Sequence, residues 1–302
     1  HRLRFSKFDL ADKNKVDNFF KENAPFDYIC HVAGQVAMTT SIENPTRDLM
    51  TNVFGTFNIL ESCRRFSPKA FIAYSSTNKV YGDLEYLNYE ETNTRYLLKD
   101  FKKGLNEKIN LDFSTPYGCS KGSADQYVRD WSRVFGLQTV VFRHSSIYGG
   151  RQFATFDQGW IGWFCKQALI QEKSFSKNEE IKPFTISGNG KQVRDVLHAD
   201  DLVELYSLVY DLKDMVSGEI FNIGGGLNNS LSLLELFELI RELIDFEDLL
   251  FIQKSKRASD QKVFIADLSK ARSMIGWEPK ISSKEGILSM LTWTRGLMHG
   301  YK

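Results

Sequence analysis

Short apolar runs alternate with helical patterns along most of the chain, and this alternation restricts the fold more than any other feature. Four runs are predicted to be strands: residues 26–34, 70–76, 138–146 and 218–226. Continuous apolar runs separated by helices are typical of parallel strands that are covered on both faces. The sequence therefore predicts an α/β fold built on a doubly wound parallel sheet.

Two segments between these runs have clear helical periodicity. Residues 45–66 carry an apolar stripe at Leu49, Val53, Phe57 and Leu60. A second helix is expected to begin near Thr115, a favoured capping residue, and to stop at Gly136. We expect both helices to pack an apolar face against the sheet.

After residue 150 the alternation loosens, and we expect a smaller lobe that is interwoven with the sheet domain. Three of the predicted strands end in polar groups, at residues 34–35, 75–77 and 144–146. Ligands of open α/β sheets bind beyond the carboxyl ends of the strands. We therefore expect the main cleft there, between the sheet domain and the lobe.

The composition excludes several classes of protein. The formal net charge of the 302 residues is +1, so there is no electrostatic reason to expect a nucleic acid or an anionic membrane as partner. The four cysteines lack zinc-ligand spacing, which predicts no metal site and reduced thiols in a cytoplasmic protein. No apolar run approaches the roughly 20 residues that cross a bilayer.

The stretch DFSTPYGCSKGSADQY, residues 112–127, places Tyr117 four residues before Lys121 on the second predicted helix. Side chains at this spacing lie on the same helix face, so we expect the ammonium close to the phenol. A nearby positive charge favours the phenolate and lowers the pKa of Tyr117 toward neutrality, as a general base acting on a hydroxyl requires. The spacing alone fits a chance meeting of two side chains equally well.

Three hydroxyl side chains, Ser75, Ser76 and Thr77, stand where the strand at 70–76 ends. A hydroxyl held near Tyr117 could orient a substrate oxygen and stabilise the charge that develops there. Alone, these residues would form an ordinary polar turn. Together with Y-x-x-x-K they indicate a catalytic site, because the two motifs rarely occur together by chance.

These residues resemble the extended short-chain dehydrogenase/reductase family of NAD-dependent nucleotide-sugar epimerases and dehydratases. The motifs that carry the resemblance span nearly the whole chain: HVAGQVAMTTSIENP, NVFGTFNILES, YSSTNKVYG, PYGCSKGSADQY, VVFRHSSIYGGRQ, ISGNGKQVRDVLHADDLV and FNIGGG. The resemblance implies a Rossmann-like NAD-binding domain at 1–150 and 190–225 and a nucleotide-sugar-binding lobe at 151–189 and 226–302. It also implies a homo-oligomer, a dimer or a tetramer, that assembles through the two predicted helices.

The resemblance further implies the roles of individual residues. It assigns the catalytic roles to Thr77, Tyr117 and Lys121. The residues implied to bind NAD are Asp9, Leu10, Ala33, Gly34, Gln35, Asn52, Ser75, Tyr117, Lys121, Arg143 and His144. The residues implied to bind the nucleotide-sugar are Ser76, Thr77, Tyr117, Ser146, Gln152, Arg194, Arg257 and Asp260. Without the family, Arg194 and Arg257 would be interpreted as solvated surface charges.

Within the family the chain resembles epimerases that invert C2 of a CDP-hexose through a transient keto-sugar with return of the hydride, in the synthesis of surface polysaccharide sugars. AGQVAMTTSI, SSTNKVYGDLE and GGRQFATFDQGWIGWFC carry this narrower resemblance. Sugar 4,6-dehydratases have Asp-Glu after the catalytic threonine, whereas Asn78 and Lys79 follow Thr77 here, so elimination is not expected. A 4-epimerase, a reductase of another nucleotide-sugar and a truncated, non-catalytic paralogue remain alternatives.

The glycine-rich opening of a dinucleotide-binding fold is not found in the sequence. Such a fold begins with a strand, a G-x-x-G-x-x-G loop and a helix, whereas the glycine run of this chain lies at 224–226. We interpret residues 1–8 as the end of a third strand that runs into a loop at Asp9. We expect the natural protein to have roughly 50 to 70 further N-terminal residues, because the strand at 27–33 would otherwise be a bare sheet edge.

Overall fold

The computed structural model describes residues 3–255 and 260–300. Its strands are, in chain order, β1 (Tyr28–His31), β2 (Phe71–Thr77), β3 (Tyr89–Glu91), β4 (Tyr96–Leu98), β5 (Gln138–His144), β6 (Ser146–Tyr148), β7 (Phe184–Ser187), β8 (Val193–His198), β9 (Glu219–Ile223), β10 (Ser230–Ser232), β11 (Phe251–Lys254) and β12 (Val263–Phe264). Its α-helices are α1 (Lys13–Asn23), α2 (Met38–Glu43), α3 (Pro45–Asp48), α4 (Gly55–Phe66), α5 (Thr115–Phe135), α6 (Trp160–Ser176), α7 (Ala199–Asp211), α8 (Lys213–Val216), α9 (Leu233–Ile244), α10 (Ser269–Ile275) and α11 (Ser283–Met298). The described residues also form a π-helical segment (Leu49–Phe54) and 3₁₀ turns at Asn78–Tyr81 and Leu227–Asn229.

The four predicted strands form one sheet with the order β1-β2-β5-β9. β1 and β2 pair in parallel, in a register that runs from Tyr28 opposite Phe71 to His31 opposite Tyr74. In the described part of the chain β1 is an edge strand of this sheet. The predicted α/β fold with a parallel sheet is therefore confirmed.

The chain divides into two compact units. The first unit comprises His1–Val80, Leu111–Arg143 and Tyr206–Phe221, and the second comprises Tyr81–Asn110, His144–Leu205 and Asn222–Lys302. The predicted sheet domain includes residues 81–110, 144–150, 190–205 and 222–225, but these residues group with the second unit. β8 belongs there because it pairs with β6, β10 and β12. Which ligand each unit binds stays a prediction.

The core of the first unit lies where α1, α4 and α5 pack on the sheet. Val16, Leu60, Ile72 and Val128 are among its fully buried members. α5 ends as predicted at Gly136, which has a positive φ of 71° that glycine adopts without strain.

The predicted single helix at 45–66 is wrong in detail. The chain forms α3, then the π-helical segment, then α4. A π-helix has a wider turn than an α-helix, so it changes which residues face the core. Leu49, the first member of the predicted apolar stripe, is 48% exposed, whereas Asp48 and Asn52 are buried.

The prediction of a strand before Asp9 is also wrong for the described residues. Residues 3–8 have no regular secondary structure. Asp9 instead opens a turn, because its side-chain Oδ1 accepts a hydrogen bond from the amide of Ala11 at 2.9 Å. The side chain of Asp12 then caps α1 by accepting from the amide of Lys15.

The second unit has its own aromatic core. Phe164 of α6 and Phe237 of α9 pack edge to face with their ring centroids 5.1 Å apart, and Phe184 of β7 contacts both rings. Ile287 and Met290 of α11 are buried in the same cluster. Among the helices of residues 3–255 and 260–300, none is long and apolar enough to span a bilayer.

Candidate active site

Thr77 and Tyr117 meet in the first unit, where β2 ends and α5 begins. Thr77 is the last residue of β2, and Tyr117 lies in the first turn of α5. Gly118 allows the first turn of α5 to approach the backbone of Lys79 closely, since an added Cβ would lie 3.2 Å from the carbonyl oxygen of Lys79. The hydroxyl of Thr115 accepts the amide of Gly118 at 3.3 Å and so fixes the start of the helix.

Burial is the largest influence on the Tyr117 phenol and raises its pKa above the ordinary value of 10. A hydrogen bond from Thr77 lowers this pKa in part, and the negative charge of Asp48 raises it further. The prediction that Lys121 would bring the pKa of Tyr117 toward neutrality is therefore wrong for this structure. The phenol is protonated at neutral pH.

Lys121 is directed toward β2 rather than toward the phenol one turn before it. Its Nζ donates to the carbonyl oxygen of Ser75 at 2.5 Å and lies 4.4 Å from the centroid of the Tyr74 ring. The side chain is buried, which lowers its pKa to about 8, while Asp125 opposes that shift. At neutral pH the ammonium is therefore still mostly protonated.

The loop after β1 is held by Asn52 of the π-helical segment. The amide of Gln35 donates to Asn52 Oδ1 at 2.8 Å, and Asn52 Nδ2 donates to the carbonyl oxygen of Gln35 at 3.1 Å. Gly34 fits against the same side chain, because an added Cβ would lie 2.9 Å from Asn52 Oδ1. Ala33 is exposed beyond the carboxyl end of β1.

This edge of the sheet fits a dinucleotide. The carboxyl ends of β1 and β2 lie side by side, which is where open α/β sheets bind such ligands. A loop that requires glycine and a buried lysine ammonium suit a phosphate-bearing ligand with ribose hydroxyls. Leu10 is fixed nearby in the first unit, because Asn58 Nδ2 donates to its carbonyl oxygen at 2.9 Å, and Asp9 is exposed.

The side chains of Arg143 and Ser76 both bond the carboxylate of Asp125. Arg143 is 2% exposed, and its Nε and Nη2 each donate to a carboxylate oxygen of Asp125 at 2.9 Å. The hydroxyl of Ser76 donates to Asp125 Oδ2 at 2.7 Å. Both polar ends therefore belong to a buried ion-pair cluster. These contacts hold β2, α5 and β5 together, and the assignment of Arg143 to NAD and of Ser76 to the nucleotide-sugar stays a prediction.

The second unit contains the remaining predicted residues. The hydroxyl of Ser146 accepts from Trp160 Nε1 at 3.1 Å, and Gln152 Nε2 donates to the carbonyl oxygen of Ile147 at 3.1 Å. Arg194 Nη2 donates to Asp260 Oδ1 at 2.7 Å, so these two predicted residues do meet. His144 is buried at the end of β5. Arg257 lies outside the described residues.

Sequence reasoning missed the polar residues behind the loop and the helix. Asp48, Thr56 and Ser120 are buried. Ser120 contacts the predicted residue Asn52 from α5, whereas Asp48 and Thr56 lie in the same helical stretch as Asn52. Asp48, Asn52 and Thr56 recur every four residues, a spacing that places them on one helix face. This polar stripe is the sequence signal for these residues, and it lies beside the apolar stripe of the same segment.

Comparisons with known proteins agree with this geometry. A sequence profile described as the NAD dependent epimerase/dehydratase family matches residues 1–224. The chain is 53% identical over 295 residues to the CDP-paratose 2-epimerase of Salmonella typhi, covering 98% of this chain and 85% of that protein. It is 29% identical to the dTDP-glucose 4,6-dehydratase of Escherichia coli, covering 97% of this chain and 79% of that protein. The crystal structure of UDP-glucose 4-epimerase from Thermotoga maritima with UDP-glucose superposes on this chain with a TM-score of 0.79 at 27% identity. The match covers 97% of this chain and 85% of that chain.

Proposed function

This chain belongs to the NAD-dependent epimerase/dehydratase family, and we propose that within it the protein inverts C2 of a CDP-hexose, converting CDP-paratose to CDP-tyvelose. The single observation that carries the proposal is the 53% identity to a CDP-paratose 2-epimerase over 98% of the chain. The contact of Thr77 with Tyr117, and the buried Lys121 one turn along α5, supply the chemical groups that this reaction needs.

NAD would be held by the loop at Gly34 and Gln35, by Asn52 behind it and by the ammonium of Lys121. When bound, NAD supplies a hydride acceptor for the sugar carbon and a positive charge that favours the phenolate of Tyr117. Tyr117 then removes the proton of the C2 hydroxyl and later returns it to the keto oxygen. Thr77 donates a hydrogen bond that stabilises the negative charge developing on the phenol.

Elimination of water does not fit these residues, although a dehydratase is among the relatives. Removal of water from a sugar needs an acid and a base beyond Tyr117. The residues after Thr77 are Asn78 and Lys79. An amide cannot exchange a proton at neutral pH, and an ammonium is a poor base there, so redox chemistry that preserves the carbon skeleton is what remains.

Product analysis with purified protein tests the proposal most directly. We expect CDP-paratose to be converted to an equilibrium mixture with its C2 epimer without net consumption of NAD, and UDP-glucose to be left unchanged. With deuterium at C2, the label should stay on the product, because the hydride is returned and not exchanged with water. Conversion of UDP-hexoses at C4, or loss of the label to solvent, would replace this function by the 4-epimerase alternative or by simple deprotonation. Absence of NAD binding would favour the non-catalytic alternative.

The proposal includes a homo-oligomer located in the cytoplasm that serves the synthesis of surface polysaccharide sugars. The π-helical segment and α5 carry exposed apolar side chains in support of assembly. Its exposed members are Leu49, Phe54, Tyr127, Val134 and Phe135. Exposed apolar patches of this kind commonly mark an interface between copies. Sedimentation equilibrium of the purified protein is expected to give a dimer or a tetramer, and a monomer at micromolar concentration would contradict this part.

A further inference from the structure

Asp48 is a buried acid to which neither the sequence motifs nor the proposed chemistry gives a role. It is the last residue of α3, directly before the π-helical segment, and its side chain is 0% exposed. One carboxylate oxygen accepts from Gln35 Nε2 at 2.6 Å, and the other accepts from the hydroxyl of Ser120 at 3.3 Å. Gln35 belongs to the loop after β1, whereas Ser120 lies in α5, so one carboxylate joins these two elements.

The contact with Asp48 fixes the orientation of the Gln35 amide. An ionised carboxylate only accepts hydrogen bonds, so the Nε2 end of the amide must face Asp48. Oε1 then faces the amide of Ala37 and accepts from it at 2.5 Å, while Nε2 also donates to the carbonyl oxygen of Ala37 at 2.8 Å. Gln35 thereby closes the loop on itself, and the orientation in which it does so depends on Asp48.

Ser120 connects the same carboxylate to the turn that carries Tyr117. Its hydroxyl accepts from Asn52 Nδ2 at 2.9 Å, and its single hydrogen is shared between the carbonyl oxygen of Tyr117 at 3.0 Å and the carboxylate of Asp48 at 3.3 Å. Asn52 in turn holds the backbone of Gln35. The four side chains of Asp48, Gln35, Asn52 and Ser120 therefore form a closed network between the loop and the helix.

Packing alone does not account for an acid at this position. The hydrogen-bond partners of Asp48 in the described part of the chain are an amide and a hydroxyl, and burial raises its pKa. A buried carboxylate without a bonded cation costs free energy of folding, and such groups concentrate at functional sites. We propose that Asp48 is a positioning residue, which ties the loop at 34–37 to the helix turn of Tyr117 through Gln35 and Ser120.

This proposal rests on the proposed function, since the loop is assigned to NAD and Tyr117 to proton transfer. The charged and titratable groups around Asp48 are few. Arg47 precedes it in α3 and acts on it only at a distance, and Tyr117 faces it from α5. Because the charge of Asp48 disfavours the phenolate, its removal should make Tyr117 easier to ionise.

Hydrogen exchange of the whole protein tests the positioning role without any ligand. Asp48→Asn replaces the charged acceptor of the Gln35 and Ser120 hydrogen bonds by a neutral amide that has one acceptor oxygen, so its ties to the loop and to α5 weaken. We expect the amides of residues 34–37 to exchange at least about fivefold faster in this variant, with the rest of the sheet unchanged. Ser120→Ala removes the tie from the α5 side without adding a buried donor and should give a smaller increase in the same peptide. Unchanged exchange of this peptide in both variants overturns the proposal.

The pH profile of kcat provides a second measurement that a merely structural residue would not affect. In Asp48→Asn we expect the acidic limb, where Tyr117 gains its proton, to move to lower pH by about half a unit. The dissociation constant of NAD should rise about tenfold because the loop is released. Asp17→Asn is the matched control, since Asp17 is also a buried acid but contacts Ser62 and Arg65 on α4. It should reduce stability and leave the pH profile in place.

These two measurements separate the two proposals. If the wild-type protein fails to epimerise CDP-paratose but the loop of Asp48→Asn exchanges faster, the positioning role stands and the function falls. If the wild-type protein is active and neither exchange nor the pH profile changes in Asp48→Asn, the positioning role falls and the function stands.

Discussion

The ammonium of Lys121 lies over the ring of Tyr74, 4.4 Å from its centroid, although Tyr117 occupies the helix position one turn before it. The carbonyl oxygen of Ser75 accepts a hydrogen bond from the same Nζ. An aromatic face and a carbonyl oxygen both favour a positive charge. Burial lowers the pKa of Lys121 to about 8, and the negative charge of Asp125 opposes this shift.

Replacement of Tyr74 tests this contact. Tyr74→Leu removes the ring, so the pKa of Lys121 should fall by about half a unit to one unit. Tyr74→Phe keeps the ring and is the matched control, with a pKa close to that of the wild type. The measurement is the rate of Lys121 acylation against pH, followed by mass spectrometry of the modified peptide. Equal pKa values in the two variants would show that the ring contributes nothing.

The affinity for NAD should depend on the charge of Lys121. The ammonium is protonated below its pKa of about 8 and neutral above it. We therefore expect the dissociation constant of NAD to rise as the pH increases through about 8, by about tenfold between pH 7 and pH 9.5. Fluorescence titration, with five tryptophans as the signal, measures it. Lys121→Arg keeps its charge over this range, so its affinity, whatever its absolute value, should not vary with pH.

Tyr117→Phe should separate binding from chemistry. The variant lacks the hydroxyl that exchanges the proton, so we expect kcat to fall by about 10²- to 10⁴-fold. The phenyl ring still fills the same half-buried space in the first turn of α5. The dissociation constant of NAD should therefore stay within about threefold of the wild type. Retention of near-wild-type epimerisation would remove Tyr117 from the reaction.

The sheet and the helix α5 could be predicted from the sequence because local patterns determine them. β1, β2, β5 and β9 coincide with short apolar runs bounded by helical segments, the pattern typical of a parallel sheet. α5 has a proline in its first turn and stops at a glycine, and both are local signals. The π-helical segment could not be predicted in this way, since no local residue pattern distinguishes its wider turn from that of an α-helix.

The sequence predicts which residues come together at Tyr117 but not which contacts their side chains make. The four-residue spacing places Tyr117 and Lys121 on one helix face, which is correct, but it says nothing about what lies opposite. The strand β2 provides Tyr74 and Ser75 for Lys121, and the partner of Arg143 is Asp125 of α5. Such partners depend on tertiary packing between elements distant in sequence.

The buried ion pair of Arg143 and Asp125 should be important for stability. Arg143→Met leaves a carboxylate buried without its cation, so we expect the free energy of unfolding to fall by about 3 to 5 kcal/mol. The double variant Arg143→Met with Asp125→Leu removes both charges and should recover part of the loss. Urea unfolding followed by circular dichroism provides the values. A loss below about 1 kcal/mol for Arg143→Met would contradict this structural role.

Arg194 is expected to recognise the diphosphate of the substrate. Its Nη1 donates to the carbonyl oxygens of Val193 and Gln261, and its Nη2 donates to Asp260. Arg194→Gln removes the charge, so we expect KM for the nucleotide-sugar to rise by about 10- to 100-fold with little change in the dissociation constant of NAD. Arg194→Lys keeps the charge but loses the planar fork, and an intermediate KM is expected. Steady-state kinetics with CDP-paratose measure both variants, alongside their melting temperatures. If KM stays at the wild-type value while both variants melt at lower temperature, Arg194 serves to anchor Asp260 and the substrate is recognised elsewhere.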